Sequence, residues 1–165
     1  TKFANFDRSF SEYKAGFEDV YQNFDRGYSW IGLDSMHALT SGGTTLQVRT
    51  VEEGTGTVRV HEYNDFRIGD EASGYTMTIG DSPKAKDGSS WSSGLTYHSG
   101  RTFAARDYQH ANSKDGQVCA SDFRTGWWHG SCYRVSIAGS NRGQVYWRDE
   151  NNRIYSVSQI EMWVQ

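Results

Sequence analysis

At 165 residues the chain has the length of one domain, enough to bury a sizeable core, and no linker is needed to explain it. Its formal net charge of −3 and pI near 5.9 leave no basic stripe for a phosphate backbone, and no apolar run approaches the ~20 residues that cross a bilayer, so neither nucleic acid nor membrane insertion is expected. With 18 Gly, one Pro, 6 Trp, 10 Tyr and 8 Phe, turns are built from glycine and bulk comes from rings.

Thr1-Lys2-Phe3-Ala4-Asn5 has neither the charged nor the apolar region of a secretory leader, so any such segment is expected to have been removed or to lie outside this sequence. Ser9-Phe10-Ser11-Glu12 fits a capping box and Gly16 is placed to stop the helix, which predicts a short helix over 9–16. Asp34 is expected to cap a second helical turn over Ser35-Met36-His37-Ala38-Leu39, stopped by Gly42-Gly43. Beyond it the period falls to two. Leu46 and Val48 alternate with Gln47 and Arg49, Val58 and Val60 with Arg59 and His61, and Tyr75, Met77 and Ile79 with Thr76 and Thr78, which predicts half-buried antiparallel strands. Glu53-Gly54-Thr55-Gly56 is the turn between the first two; its Gly-x-Gly is turn chemistry, since no helix follows as a nucleotide loop requires. Residues 81–152 lack periodicity and are expected to be irregular until Ile154–Val164 resumes a strand pattern. No internal repeat is present.

Catalytic motifs are absent: no Gly-x-Ser-x-Gly elbow, phosphate loop, His-Glu-x-x-His or Cys-x-x-Cys. The histidines at 37, 61, 98, 110 and 129 are scattered and read as surface or packing residues, and Asp149-Glu150 as a solvated turn, so the chain is not expected to be an enzyme. Two cysteines, Cys119 and Cys132, flank Ala120-Ser121-Asp122-Phe123-Arg124-Thr125-Gly126-Trp127-Trp128-His129-Gly130-Ser131. That spacing around a Gly-rich aromatic loop favours a disulfide over two free thiols, and a zinc site would need more ligands. A disulfide implies an oxidising compartment and hence secretion; no Asn-x-Ser/Thr sequon adds to that argument. Trp127 and Trp128 read as packing residues of this loop.

These segments together resemble the fibrinogen-related domain, the C-terminal module of fibrinogen chains, ficolins, tachylectins, angiopoietins and tenascins. Tyr13-Lys14-Ala15-Gly16-Phe17 resembles the end of the family's first helix, and Trp30-Ile31-Gly32-Leu33-Asp34-Ser35-Met36-His37-Ala38-Leu39-Thr40 its Trp-Leu-Gly-x-x-x-Ile-His-x-Leu-Thr. Phe66-Arg67-Ile68-Gly69-Asp70-Glu71 is similar to its Phe-x-Val-Gly-Asp-Glu, Tyr97-His98-Ser99-Gly100-Arg101-Thr102-Phe103 to its Tyr-His-x-Gly-x-x-Phe, and Cys119-Ala120 with Gly126-Trp127-Trp128 and Cys132 to its disulfide loop. The resemblance implies an α+β fold: a central twisted antiparallel sheet, short helices and a large irregular, disulfide-stapled C-terminal loop region. The resemblance implies one domain over 1–165, expected to be truncated at the N-terminus relative to a family that begins further upstream. It also implies a cis peptide at Ser131-Cys132.

The resemblance further implies a secreted, non-enzymatic recognition module, lectin-like and active in innate immunity or cell-surface recognition, binding glycans with acetyl or acidic groups. The rival is a module that binds cell-surface or matrix proteins without a sugar pocket; a third reading is a structural subunit completed by a partner, and a homo-oligomer is compatible with each. In lectin relatives an acetyl group sits on rings and backbone amides around the second cysteine, which maps onto Phe123, Cys132, Tyr133 and Tyr146, Tyr133 standing where the family has His. Without that His, a preference for acidic sugars would fall to Arg124 or Arg134. The family's calcium loop carries an Asp-x-Asp before the first cysteine; here only Asp107 and Asp115 stand in that stretch, so the site is expected to be absent or much weakened and no cofactor is expected. The loop between Cys132 and Trp147 is shorter than the family's.

Overall fold

Ser9 caps the first helix, as its spacing predicts. In the computed structural model, which describes residues 6–20, 27–80, 84–85, 90–113, 115–137, 145–149 and 151–165, helix α1 spans Phe10–Ala15. The Ser9 hydroxyl accepts the Glu12 N–H while Glu12 Oε2 accepts the Ser9 N–H at 2.8 Å, a reciprocal pair that satisfies two end amides. The same backbone bond, followed by the Ser9 hydroxyl, holds the Glu12 carboxyl below its ordinary range. Strands β1 (Phe17–Val20) and β2 (Gly27–Trp30) form an antiparallel pair after it.

Helix α2 covers Leu33–Thr40, and Asp34 does not cap it. The N-cap is Gly32 at φ +96°, where a Cβ would stand 2.6 Å from the Lys14 carbonyl oxygen, so the docking of α2 against the end of α1 fixes where it starts. Asp34 lies in the first helical turn, where a carboxylate suits the positive end of the helix, and accepts the Tyr75 hydroxyl.

Strands β3 (Thr44–Glu52) and β4 (Val58–Ile68) form the expected hairpin around Glu53–Thr57. Its inward face departs from the expectation. Val58 is exposed, whereas His61 and Tyr63 are buried, followed by Phe66 and Ile68. The register slips between the Leu46–Tyr63 and Thr44–Phe66 pairs, and Asp65 sits there at φ +51°; this one-residue bulge moves the buried phase from odd to even positions. The strand expected from Tyr75 to Ile79 contracts to β5 (Met77–Thr78), because Tyr75 adopts φ +49° and closes a turn by donating its N–H to the Asp70 carbonyl.

The stretch 81–152 is more regular than expected. It contains β6 (Lys84–Ala85), a 3-10 helix over Ser90–His98, the pair β7 (Ala104–Ala105) and β8 (Tyr108–Gln109), helix α3 (Gly116–Phe123), β9 (Val135–Ser136) and β10 (Val145–Arg148). Strand β11 (Ile154–Val164) then enters the main sheet between β3 and β10, in the antiparallel order β5-β4-β3-β11-β10-β9, with β6 also paired to β4. Asp149 is fully buried rather than solvated: its Oδ1 accepts the Arg153 N–H and its own N–H donates to the Arg153 carbonyl, clamping the turn into β11. Glu150, the shortened stretch 138–144 and the Tyr146 side chain lie outside the described residues.

Rings fill the core around Tyr13, which meets Trp30 edge-on at 5.3 Å and Phe103 at 5.0 Å. The Tyr13 hydroxyl donates to the Phe6 carbonyl and accepts the Gly126 N–H, tying α1 to the disulfide loop. Trp127 and Trp128 are buried in the same cluster, and Trp128 Nε1 donates to the Tyr75 carbonyl, so this pair packs the loop.

Candidate functional site

Cys119 and Phe123 are one helical turn apart in α3 and so share a face. The helix ends at Arg124, left-handed at φ +53°, whose N–H closes on the Ala120 carbonyl. Cys119 and Cys132 are bridged, with Cα atoms 5.4 Å apart, and the Ser131-Cys132 peptide is cis, as the resemblance implies. The bridge returns the chain to the end of α3. There the Tyr133 ring meets Phe123 edge-on, with centroids 4.6 Å apart, and both rings are half-buried. Phe123, Cys132 and Tyr133 thus form one small wall. Tyr146 is placed only by its backbone, paired with Ser136 and Ser156 in the sheet.

The two arginines part company. Arg124 turns to Asp7, with Nε and Nη2 each 3.0 Å from Oδ2, so its charge is matched. Arg134 lies with its guanidinium carbon 5.1 Å from the centroid of the Tyr97 ring, and Arg101, which the sequence reading did not single out, lies 5.9 Å from the same centroid. The signal was present in the Tyr97–Phe103 motif, but nothing local says that Arg134 shares its ring.

Backbone donors around the second cysteine are in part taken: the Gly130 N–H donates to the Cys132 carbonyl and the Ser131 N–H to the Tyr97 hydroxyl at 2.9 Å. Behind them two histidines are buried. His98 Nδ1 stands 2.8 Å from the Trp128 carbonyl, and Nε2 is 3.2 Å from both the Arg134 and Val135 N–H groups. Burial, above all, drives its pKa down to about 3. Burial also lowers His129, against the Thr125 and Cys132 carbonyls that contact its two ring nitrogens. Both are packing residues, as expected.

Asp107 and Asp115 do different work. Asp107 Oδ1 accepts the Phe10 N–H at 2.8 Å, whereas Asp115 precedes α3 and lines a polar cleft of about 310 Å³ with Arg101 and Ser131. Among the described residues no group of three or more His, Cys, Asp or Glu is arranged to hold a metal, and no helix is long and apolar enough to cross a membrane.

Comparison with known proteins agrees with this fold. Chicken tenascin-R is 30% identical over 96% of this chain, which spans 11% of that protein, and human ficolin-3 is 34% identical over 82% of it, spanning 42%. The chain thus covers less than half the length of either relative. Among solved structures, the fibrinogen-like globe domain of human ANGPTL2 superposes with a TM-score of 0.77 at 27% identity, covering 98% of this chain and 74% of that one. The model of the C-terminal globular domain of fibrinogen beta and gamma chains matches residues 2–165, and the chain belongs to that family.

Proposed function

We propose that the protein is a secreted, non-enzymatic recognition module of lectin type that binds acetylated or acidic glycans on the wall of Phe123, Cys132 and Tyr133. The observation that supports this reading is the edge-to-face contact of Phe123 and Tyr133 against the disulfide: a compact apolar surface beside irregular backbone, the mixture of apolar area and fixed polar groups that ligand sites use. Its membership beside ficolin-3 supports a glycan ligand, and its extracellular relatives and disulfide support secretion.

One observation favours a protein ligand instead. The Gly130 and Ser131 amides already have internal acceptors, which leaves fewer donors for an acetyl oxygen, and tenascin-R and ANGPTL2 stand among the similar proteins. A ligand held without calcium is supported by the loop before Cys119, which lacks the family's Asp-x-Asp pair and in which one Asp107 oxygen accepts the Phe10 amide. Glycan binding is therefore expected to be independent of calcium.

A glycan array with wild-type protein, run with calcium and with chelator, tests these readings. Wild type is expected to retain an acetylated or acidic glycan under both conditions, and Phe123→Ala and Tyr133→Ala, folded by circular dichroism, to bind it at least about tenfold more weakly. Unchanged binding by both variants would place the ligand elsewhere; no glycan bound, with retention of a cell-surface protein, would favour the protein-binding reading.

A further inference from the structure

Most guanidiniums here face a carboxylate: Arg8 meets Glu12, Arg49 Glu161, Arg59 Glu52, Arg67 Asp65 and Arg124 Asp7. Arg101 and Arg134 face none among the described residues. Both instead lie against Tyr97, 5.9 and 5.1 Å from its ring centroid, a cation–π contact for each guanidinium. His98, whose ring meets Tyr97 edge-on, adds no charge there, because burial keeps it neutral.

The setting offers more than charge. Arg101 opens onto the cleft of about 310 Å³, at the small end of the range for ligand sites, lined also by Thr102, Asn112, Ser113 and Ser131. The Ser131 amide is locked onto the Tyr97 hydroxyl, so the ring that carries both arginines is fixed relative to the cis peptide and to Tyr133 two residues on. Asp115 lines the same cleft without an ion pair to Arg101, so a ligand with several negative charges would meet a carboxylate there.

We propose that Arg101 and Arg134 form an anion subsite for an acidic saccharide, its sulfate ester or carboxylate bridging the two guanidiniums beside Tyr97 and its hydroxyls facing the serine, threonine and asparagine side chains of the cleft. Guanidinium matches planar and tetrahedral oxyanions with paired donors, which is why an anion rather than a neutral group is selected. An acidic peptide suits the place less well: its successive carboxylates would meet Asp115, and the cleft presents hydroxyls instead of a strand edge. The saccharide rests on the glycan reading above; the anion pair does not.

Titration calorimetry with N-acetylglucosamine, its 6-sulfate and tetraglutamate, together with nuclear magnetic resonance of the arginine Nε–H signals in inorganic sulfate, tests the assignment on wild type, Arg101→Gln, Arg134→Gln and Phe123→Ala. The sulfated sugar is expected to bind about tenfold tighter than the neutral one, and each arginine variant to lose most of that advantage while binding the neutral sugar unchanged. Arg134→Lys, which keeps the charge but not the fork, is expected to fall between. A sulfated sugar no tighter than the neutral one, or an advantage that survives both glutamine variants, overturns the subsite even where neutral binding upholds the ring wall. Tetraglutamate binding as tightly as the sulfated sugar overturns the saccharide. A Phe123→Ala protein that keeps full affinity for both sugars removes the ring wall and leaves the arginine pair standing.

Discussion

His98 accepts from the Arg134 and Val135 amides at Nε2, and its Nδ1 faces a carbonyl that can only accept. A neutral imidazole with its proton on Nδ1 satisfies all three partners; a second proton would point at two N–H groups. Its folded pKa of about 3 lies below the ordinary 6.5, so as pH falls the unfolded chain takes the proton first. Stability is therefore complete above about 6.5 and is lost progressively down towards 3. The unfolding free energy from urea denaturation is expected to fall through this window by up to about 1.4 kcal/mol per pH unit from this residue, with His129 contributing in the same direction. Most of the loss between pH 6.5 and 4.5, roughly, precedes carboxylate titration. An otherwise folded His98→Asn protein with an undiminished slope would contradict the assignment. Since Arg134 and Val135 follow Tyr133 directly, acid is also expected to loosen the ring wall.

At the scale of elements, the bridge between α3 and the loop after Trp128 closes a segment of 13 residues' separation. Replacing both cysteines by serine is expected to cost about 3 kcal/mol in urea denaturation; a loss under about 1 kcal/mol would mean that the buried tryptophans alone hold the loop. How far such elements can be read from the chain depends on where their determinants lie. The capping box of α1, the β3–β4 turn and the periodicity of β11 are set by near neighbours, and all three were legible. The start of α2 is set by Gly32 against Lys14, and the buried phase of β4 by a bulge at Asp65, neither of which a local pattern reveals. Helix α3 was missed because its exposed Val118 and polar Gln117, Ser121 and Asp122 give it a weak apolar face. The ring wall was legible only through the resemblance. Arg101 was not, because its partner ring gains Arg134 through folding alone.

For the whole molecule, the decisive feature is β11, which pairs with β3 from Leu46 to Glu52 on one side and with β10 on the other. A chain stopped after Gln159 keeps β10 but loses the pairings of Ile160 through Val164 with Thr50 through Leu46. It is expected to lose cooperative unfolding and near-ultraviolet dichroism; a wild-type melting curve would show that β3 needs no such neighbour. The arrangement also orders events during synthesis. β3 and β4 emerge early, yet the open edge of β3, carrying Leu46 and Val48, stays bare until residues 154–164 have been made. Throughout that interval the hairpin presents an unpaired strand edge, which makes closure by β11 the step that removes its exposure to other strands.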